Sequence, residues 1–203
     1  MSIITDIREN RGLVEVQAEG ATIARVRKVH FAKCPVAIGD EIDTESYLSR
    51  LAAAQFADGY EAALTSLDHC ARSARDIGNA LRRKGYVEPA VEAIVARLTE
   101  NGLIDDARYA SRMAELQSGK AVGVYAFKRK LRAKGISDDD AEEALSAFDD
   151  AQQQAAALEA AKKLFRRYAD LPEREARGKL SQALARRGFA WDAIESAVDA
   201  LLD

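Results

Sequence analysis

The chain has little of what most enzymes and secreted proteins are built with. It has two cysteines, Cys34 and Cys70, and two histidines, His30 and His69, in 203 residues. With no CxxC spacing and no cluster of companion histidines, neither a disulfide framework nor a zinc site is indicated, and reduced thiols in a cytoplasmic protein are the expectation. No run approaches the roughly 20 apolar residues of a membrane span. The opening "MSIITDIREN" meets a charge at Asp6, well short of a signal-peptide apolar core, so no membrane partner is expected. There is no GxxxxGK[ST], GxGxxG, GxSxG or HExxH, hence no expected cofactor and no catalytic constellation. His30, in a strand-like run, and His69, on a helix, read as structural or solvent-facing. The formal net charge of -3 gives no general attraction to nucleic acid, so DNA binding would need local basic clusters.

What is present suits a folded protein rich in exposed helix: 48% hydrophobic and 31% charged residues. Residues 1–43 differ from the rest. "GLVEVQAEG" and "ATIARVRKVHF" alternate β-branched and polar residues at period two, separated by Gly20, and predict a small antiparallel β unit. From Thr44 onward the apolar spacing turns to three and four, the helical period, with residues 44–59 read as a connecting helix. Of the chain's three prolines, Pro89 and Pro172 fall in this part, each at a helix start.

The phrases "LRRKGYVE", "LRAKGISD" and "LARRGFAW" expose an internal repeat. Aligned on Gly85, Gly135 and Gly188, the position four residues earlier holds Leu81, Leu131 and Leu184, and eight earlier holds Ile77, Phe127 and Leu180. Tyr86, Ile136 and Phe189 follow the glycines. Offsets 6, 9, 10 and 13 are apolar in every copy, from Val91, Ile94, Val95 and Leu98 through to Ile194, Ala197, Val198 and Leu201. That spacing is one face of a helix. An amphipathic segment precedes each pair: "GYEAALTSLDHCA", "DDARYASRMAELQS" and "AQQQAAALEAAKKLFRRYA". The reading is mainly α: the β unit, then three tandem three-helix repeats over 60–103, 104–150 and 151–203, stacked as an elongated, curved rod. Ser73 and Ser137 mark helix starts, as does Asp170 before Pro172, and the three glycines are helix stops.

Basic residues crowd the glycines, and two readings of them stand together. A cation in a last helical turn interacts favourably with the helix dipole. Spaced along a rod, cations also suit a regular polyanion or an acidic partner with a helical repeat. Lys84, Lys134 and Arg187, next to the glycines, read as caps and cover. The candidate partner-binding residues are Arg72, Arg75, Arg82, Arg83, Lys128, Arg129, Arg132 and Arg186. Among aromatics, Phe127 and Tyr109 read as core, and Tyr125 stays open as a stacking residue.

"SARDIGNALRRKGYVEPAVEAIVARLTENGLIDDARYA" resembles the signature of the RecX family, bacterial regulators of the RecA recombinase, above all in Gly102, Leu103, Ile104, Asp105 and Asp106 followed by Tyr109 and Ala110. "KLRAKGIS" and "LARRGF" look like the family's second and third repeats, so the resemblance covers about residues 60–203. It implies a cytoplasmic, cofactor-free binding protein of tandem three-helix repeats lying along the groove of the RecA filament on single-stranded DNA; the chain itself is expected to be a monomer. Occupying that groove would suppress strand exchange, ATP turnover and co-protease activity. The competing reading is a protein that binds single- or double-stranded DNA directly, without RecA. An enzyme would rest on carboxylates such as Asp105 and Asp106, better read as anions at a helix start.

Overall fold

The computed structural model describes residues 1–117, 120, 122–146 and 148–202, and the chain divides into two compact units, Met1–Asp105 and Asp106–Asp203. The first opens with an antiparallel sheet of β1 (Ser2–Asn10), β2 (Leu13–Ala18), β3 (Ala21–Arg27) and β4 (Glu41–Ile42), in the order β3-β2-β1-β4. Arg11-Gly12 and Glu19-Gly20 all take positive φ. They form the two-residue hairpin turns whose twist matches that of the strands. Alternation along β2 and β3 buries Val14, Val16, Ala18, Ala24 and Val26.

Two details depart from the period-two reading. The first is β1, paired on both edges, which the reading does not single out. Its register shifts between Ile4 and Asp6, and such an irregularity breaks the alternation a sequence scan depends on. The second is His30: the strand ends at Arg27, and Lys28–Phe31 turn into a short helix, α1, that buries the imidazole.

Helix α2 (Thr44–His69) follows, its start fixed by Asp43, whose carboxylate accepts the Ser46 amide at 3.0 Å. It is one continuous helix through what the sequence divides into a connecting helix and the first helix of a repeat. Helices α3 (Ala74–Arg83) and α4 (Glu88–Glu100) complete the unit. Sheet and helices share one core, with Val16, Val26, Tyr47, Leu51, Ile77, Leu81, Ile94 and Leu98 in a single cluster.

The second unit holds α5 (Asp106–Gln117), α6 (Val124–Ala133), α7 (Asp138–Leu145), α8 (Asp150–Phe165), α9 (Glu173–Arg186) and α10 (Trp191–Leu202). Ser118, the last residue of the segment predicted for α5, lies outside the described residues. One core gathers on Phe127, Leu131 and Ile136, another on Leu180, Leu184 and Ile194. Mainly helical, with a β sheet leading into three three-helix domains, the architecture is the one the repeat predicts. The residues four and eight before each glycine and the one after it are buried in all three copies.

Each repeat turns from its second to its third helix through the same hydrogen bonds. Gly85, Gly135 and Gly188 have φ of 85°, 83° and 79°. Their amides donate to Arg82, Arg132 and Ala185 at 3.0, 3.0 and 2.9 Å. The next amides, of Tyr86, Ile136 and Phe189, reach back to the leucine carbonyls of Leu81, Leu131 and Leu184 at 3.2, 3.1 and 3.4 Å. This is the Schellman stop, closed by contact between the residue after glycine and that leucine. Lys84, Lys134 and Arg187 are the C-caps, as expected, but Lys84 and Arg187 are exposed and cover no core. Ser73 and Ser137 cap α3 and α7. Asp170 does not cap α9, which starts from Pro172 without a side-chain bond.

Two of these glycines also let bodies meet. A Cβ on Gly85 would stand 2.9 Å from Leu13 Cδ2 and 3.3 Å from the Arg25 carbonyl on the sheet. A Cβ on Gly188 would stand 2.2 Å from the Ala126 amide nitrogen of the second repeat. There Tyr125 donates to the Gly188 carbonyl at 2.9 Å, and Gly123 to that of Arg187 at 3.3 Å.

A buried polar knot fastens α2 to the first glycine turn. Gln55, fully buried, donates to the Gly85 carbonyl at 3.0 Å and to His30 Nδ1 at 3.3 Å, and accepts the Val87 amide at 2.8 Å. His30 Nε2 then donates to Asp58 Oδ2 at 3.2 Å, which also accepts from Arg27 at 3.2 Å and from the Tyr86 hydroxyl. Burial holds the His30 pKa below its ordinary value, against the pull of Asp58, so the neutral tautomer this geometry needs is favoured. Burial, then the bond to Asp58, push the Tyr86 hydroxyl up to about 12.

Candidate partner-binding surface

The second and third helices of each repeat run back past one another from the glycine, so residues equally far from it on either side face each other. Offsets 3, 7 and 11 lie four apart and form one row on each helix. The rungs of this ladder carry ion pairs. At offset 3, Arg82 meets Glu88 with its Nε at 2.7 Å from Oε2, and Arg132 Nε meets Asp138 at 2.7 Å. At offset 7, Lys128 meets Glu142, and at offset 11, Arg177 meets Asp199. Hydrogen bonding raises the pKa of Arg82 and Arg132 and lowers that of Glu88 and Asp138, so all four stay ionised near neutrality.

The eight sequence-predicted cations therefore divide. Arg82, Lys128 and Arg132 are held by acids of their own repeat. Arg72 is half-buried and donates to the Ser66 carbonyl at 3.4 Å, near the end of α2. Arg186 reaches Gln182 at 3.4 Å on its own helix. Arg75 and Arg82 are brought together on one groove between α3 and α4. Arg83 and Arg129 are exposed and make no hydrogen bond or ion pair with a described residue. Arg83 belongs to the first unit, Arg129 and Arg186 to the second.

Sequence reasoning missed the acids. Glu92, Glu142 and Glu195 hold offset 7 in all three copies, a regularity as plain as that of the leucines, but reading only the apolar offsets passes over it. It missed Gln55 and Asp58 because their partners are distant in sequence. Phe127 is buried, Tyr109 packs on the second core, and Tyr125 is 56% exposed.

Because the Arg82–Glu88 pair stands largely in water, its expected contribution is small. Arg82→Gln should lower stability by at most about 1 kcal/mol in urea unfolding. A loss several times larger would mean that the rungs, and not the cores, hold the repeats together.

Among the described residues, no helix is long and apolar enough to cross a membrane, and no group of three or more side chains is placed to hold a metal ion. Comparison with known proteins is specific. The family models for the first, second and third three-helix domains of RecX match residues 60–98, 105–145 and 150–198. "Regulatory protein RecX" of Limosilactobacillus reuteri is 33% identical over 162 residues, which is 79% of this chain and 61% of the relative, so the match spans less than two thirds of that protein. A crystal structure of a regulatory protein RecX superposes with a TM-score of 0.69 at 29% identity, covering 98% of this chain and all of that one. RecX from Lactobacillus salivarius does so with 0.65 at 30% identity, covering 73% of this chain and 97% of that one. With the three domains matched in their own order and a solved relative covered almost end to end, the chain belongs to the RecX family.

Proposed function

We propose that this protein is a cytoplasmic, non-enzymatic inhibitor of the RecA recombinase that binds as a monomer along the groove of the RecA filament on single-stranded DNA. The observation that carries this reading is the presence of three RecX three-helix domains in series, each with its own set of buried repeat positions. A target that repeats is bound best by a binder that repeats, because the second and third contacts form at high effective concentration. Held there, the protein obstructs strand exchange, ATP turnover and co-protease activity.

Direct action on DNA is the weaker reading. Arg82, Lys128 and Arg132 must each leave an acid before meeting a phosphate, and the whole chain is acidic. With few cations free to meet phosphates, binding to naked single-stranded DNA is expected to be weak and only shallowly salt-dependent. Fluorescence anisotropy should show at least about tenfold tighter binding to RecA-coated than to bare oligonucleotide, a gap of about 1.4 kcal/mol. Equal binding to both would favour direct action on DNA. Arg83→Glu with Arg129→Glu should weaken filament binding while leaving the helical circular dichroism unchanged. Undiminished binding would remove these two residues from the contact.

A further inference from the structure

The third repeat differs from the other two along its ladder. In the second, Lys128 on α6, its side chain only 20% exposed, places its ammonium on Glu142 of α7. In the first, the guanidinium of Arg82 lies over Gly78, with Nη1 3.0 Å from where a Cβ would be, and Glu92 adds to the charge that keeps it protonated. Both repeats thus supply a cation at the middle rung from their own chain. The third does not. Ser181 stands where the second has Lys128, and Ala185 where the first has Arg82.

What is left is an open groove of about 440 Å³ between α9 and α10, with Ser181 and Ala185 in its lining and Glu195 and Trp191 beside them. Glu195 makes no hydrogen bond or ion pair with a described residue. Trp191 is 66% exposed at a position where the other repeats have the acids Glu88 and Asp138. Arg177, one rung further out, also lines the groove, and its guanidinium is engaged by Asp199.

We infer that the third-repeat groove is a socket for an arginine or lysine side chain projecting from a protein partner. The occupant is specified by what fills the same place in the other repeats and by the vacant carboxylate. The aliphatic stem lies over Ser181 and Ala185, and the head meets Glu195 as the Lys128 ammonium meets Glu142. Trp191 adds a ring face on which a guanidinium stacks. A carboxylate in the socket disfavours phosphate, so the partner is a protein surface and not a nucleic acid. The inference takes from the proposed function only the identity of that protein, the RecA filament.

Trp191 is the chain's single tryptophan and reports on the socket directly. Titration with N-acetylarginine amide, at ionic strength matched with sodium chloride, should change its fluorescence saturably. The neutral isostere N-acetylcitrulline amide should bind about fivefold to tenfold more weakly. Glu195→Gln should lose a similar factor. Ser181→Lys, which rebuilds the middle rung of the second repeat, should abolish the response while keeping full helicity. An equal response to citrulline, or an undiminished one in Ser181→Lys, overturns the inference. A second arm uses the RecA filament. If the wild-type chain binds it and Ser181→Lys binds equally well, the socket is wrong while the filament reading stands. If the wild-type chain does not bind, the filament reading fails, and the arginine titration alone decides the socket.

Discussion

Gly188→Ala is expected to destabilise the second unit by about 2–5 kcal/mol. Two independent penalties add. The first is conformational: an alanine at φ 79° pays the left-handed backbone cost of about 1–2 kcal/mol. The second is steric. The new Cβ would lie 2.2 Å from the Ala126 amide nitrogen and 2.6 Å from its Cβ, so the helix start of the second repeat has to move. Overpacking of this kind costs about 1–3 kcal/mol, and here it also threatens the Tyr125–Gly188 hydrogen bond. Gly20→Ala separates the two, since Gly20 has φ 80° but nothing within 4 Å of its Cβ position. Thermal unfolding should show a drop of more than about 10 °C for Gly188→Ala and much less for Gly20→Ala. Equal drops would mean that the close approach contributes nothing.

Gln55→Met is the second large expected effect. The replacement keeps the volume and removes every hydrogen bond, leaving the Val87 amide, the Gly85 carbonyl and His30 Nδ1 without their partner. Each buried group left unsatisfied costs about 1–3 kcal/mol, so a loss of at least about 3 kcal/mol is expected in the first unit. Gln154→Met, on an exposed face of α8, should fall within about 0.5 kcal/mol of wild type. A Gln55→Met protein as stable as wild type would show that the knot is not what ties α2 to the glycine turn.

These residues mark the line between what the sequence discloses and what it hides. Repetition made the helical part readable, because Leu81, Leu131 and Leu184 occupy equivalent core positions, and three instances of one offset outweigh any single propensity. Glycine stops and serine caps were readable because their causes lie within a few residues. β1 was obscured by the irregularity at Ile4, and α1 by a strand-like run that turns helical at Lys28. Gln55 looks like any polar residue on a helix until Gly85 and Val87 arrive beside it. Of the eight candidate cations, Arg72 and Lys128 are only partly exposed, and the acids that hold Arg82, Lys128 and Arg132 escape a reading of apolar offsets. A stripe that seemed turned wholly outward is partly closed on itself, and only Arg83 and Arg129 remain with no ionic or hydrogen-bonded partner among the described residues. The third repeat reverses this, with Glu195 left without a cation among the described residues.

Inhibition of the RecA filament by this protein is read out by RecA-driven strand exchange with the purified chain added at micromolar concentration. Product formation should fall as protein is added, single-stranded DNA-dependent ATP hydrolysis should fall with it, and Arg83→Glu with Arg129→Glu should relieve both. Strand exchange and ATP hydrolysis unchanged at saturating protein would contradict it.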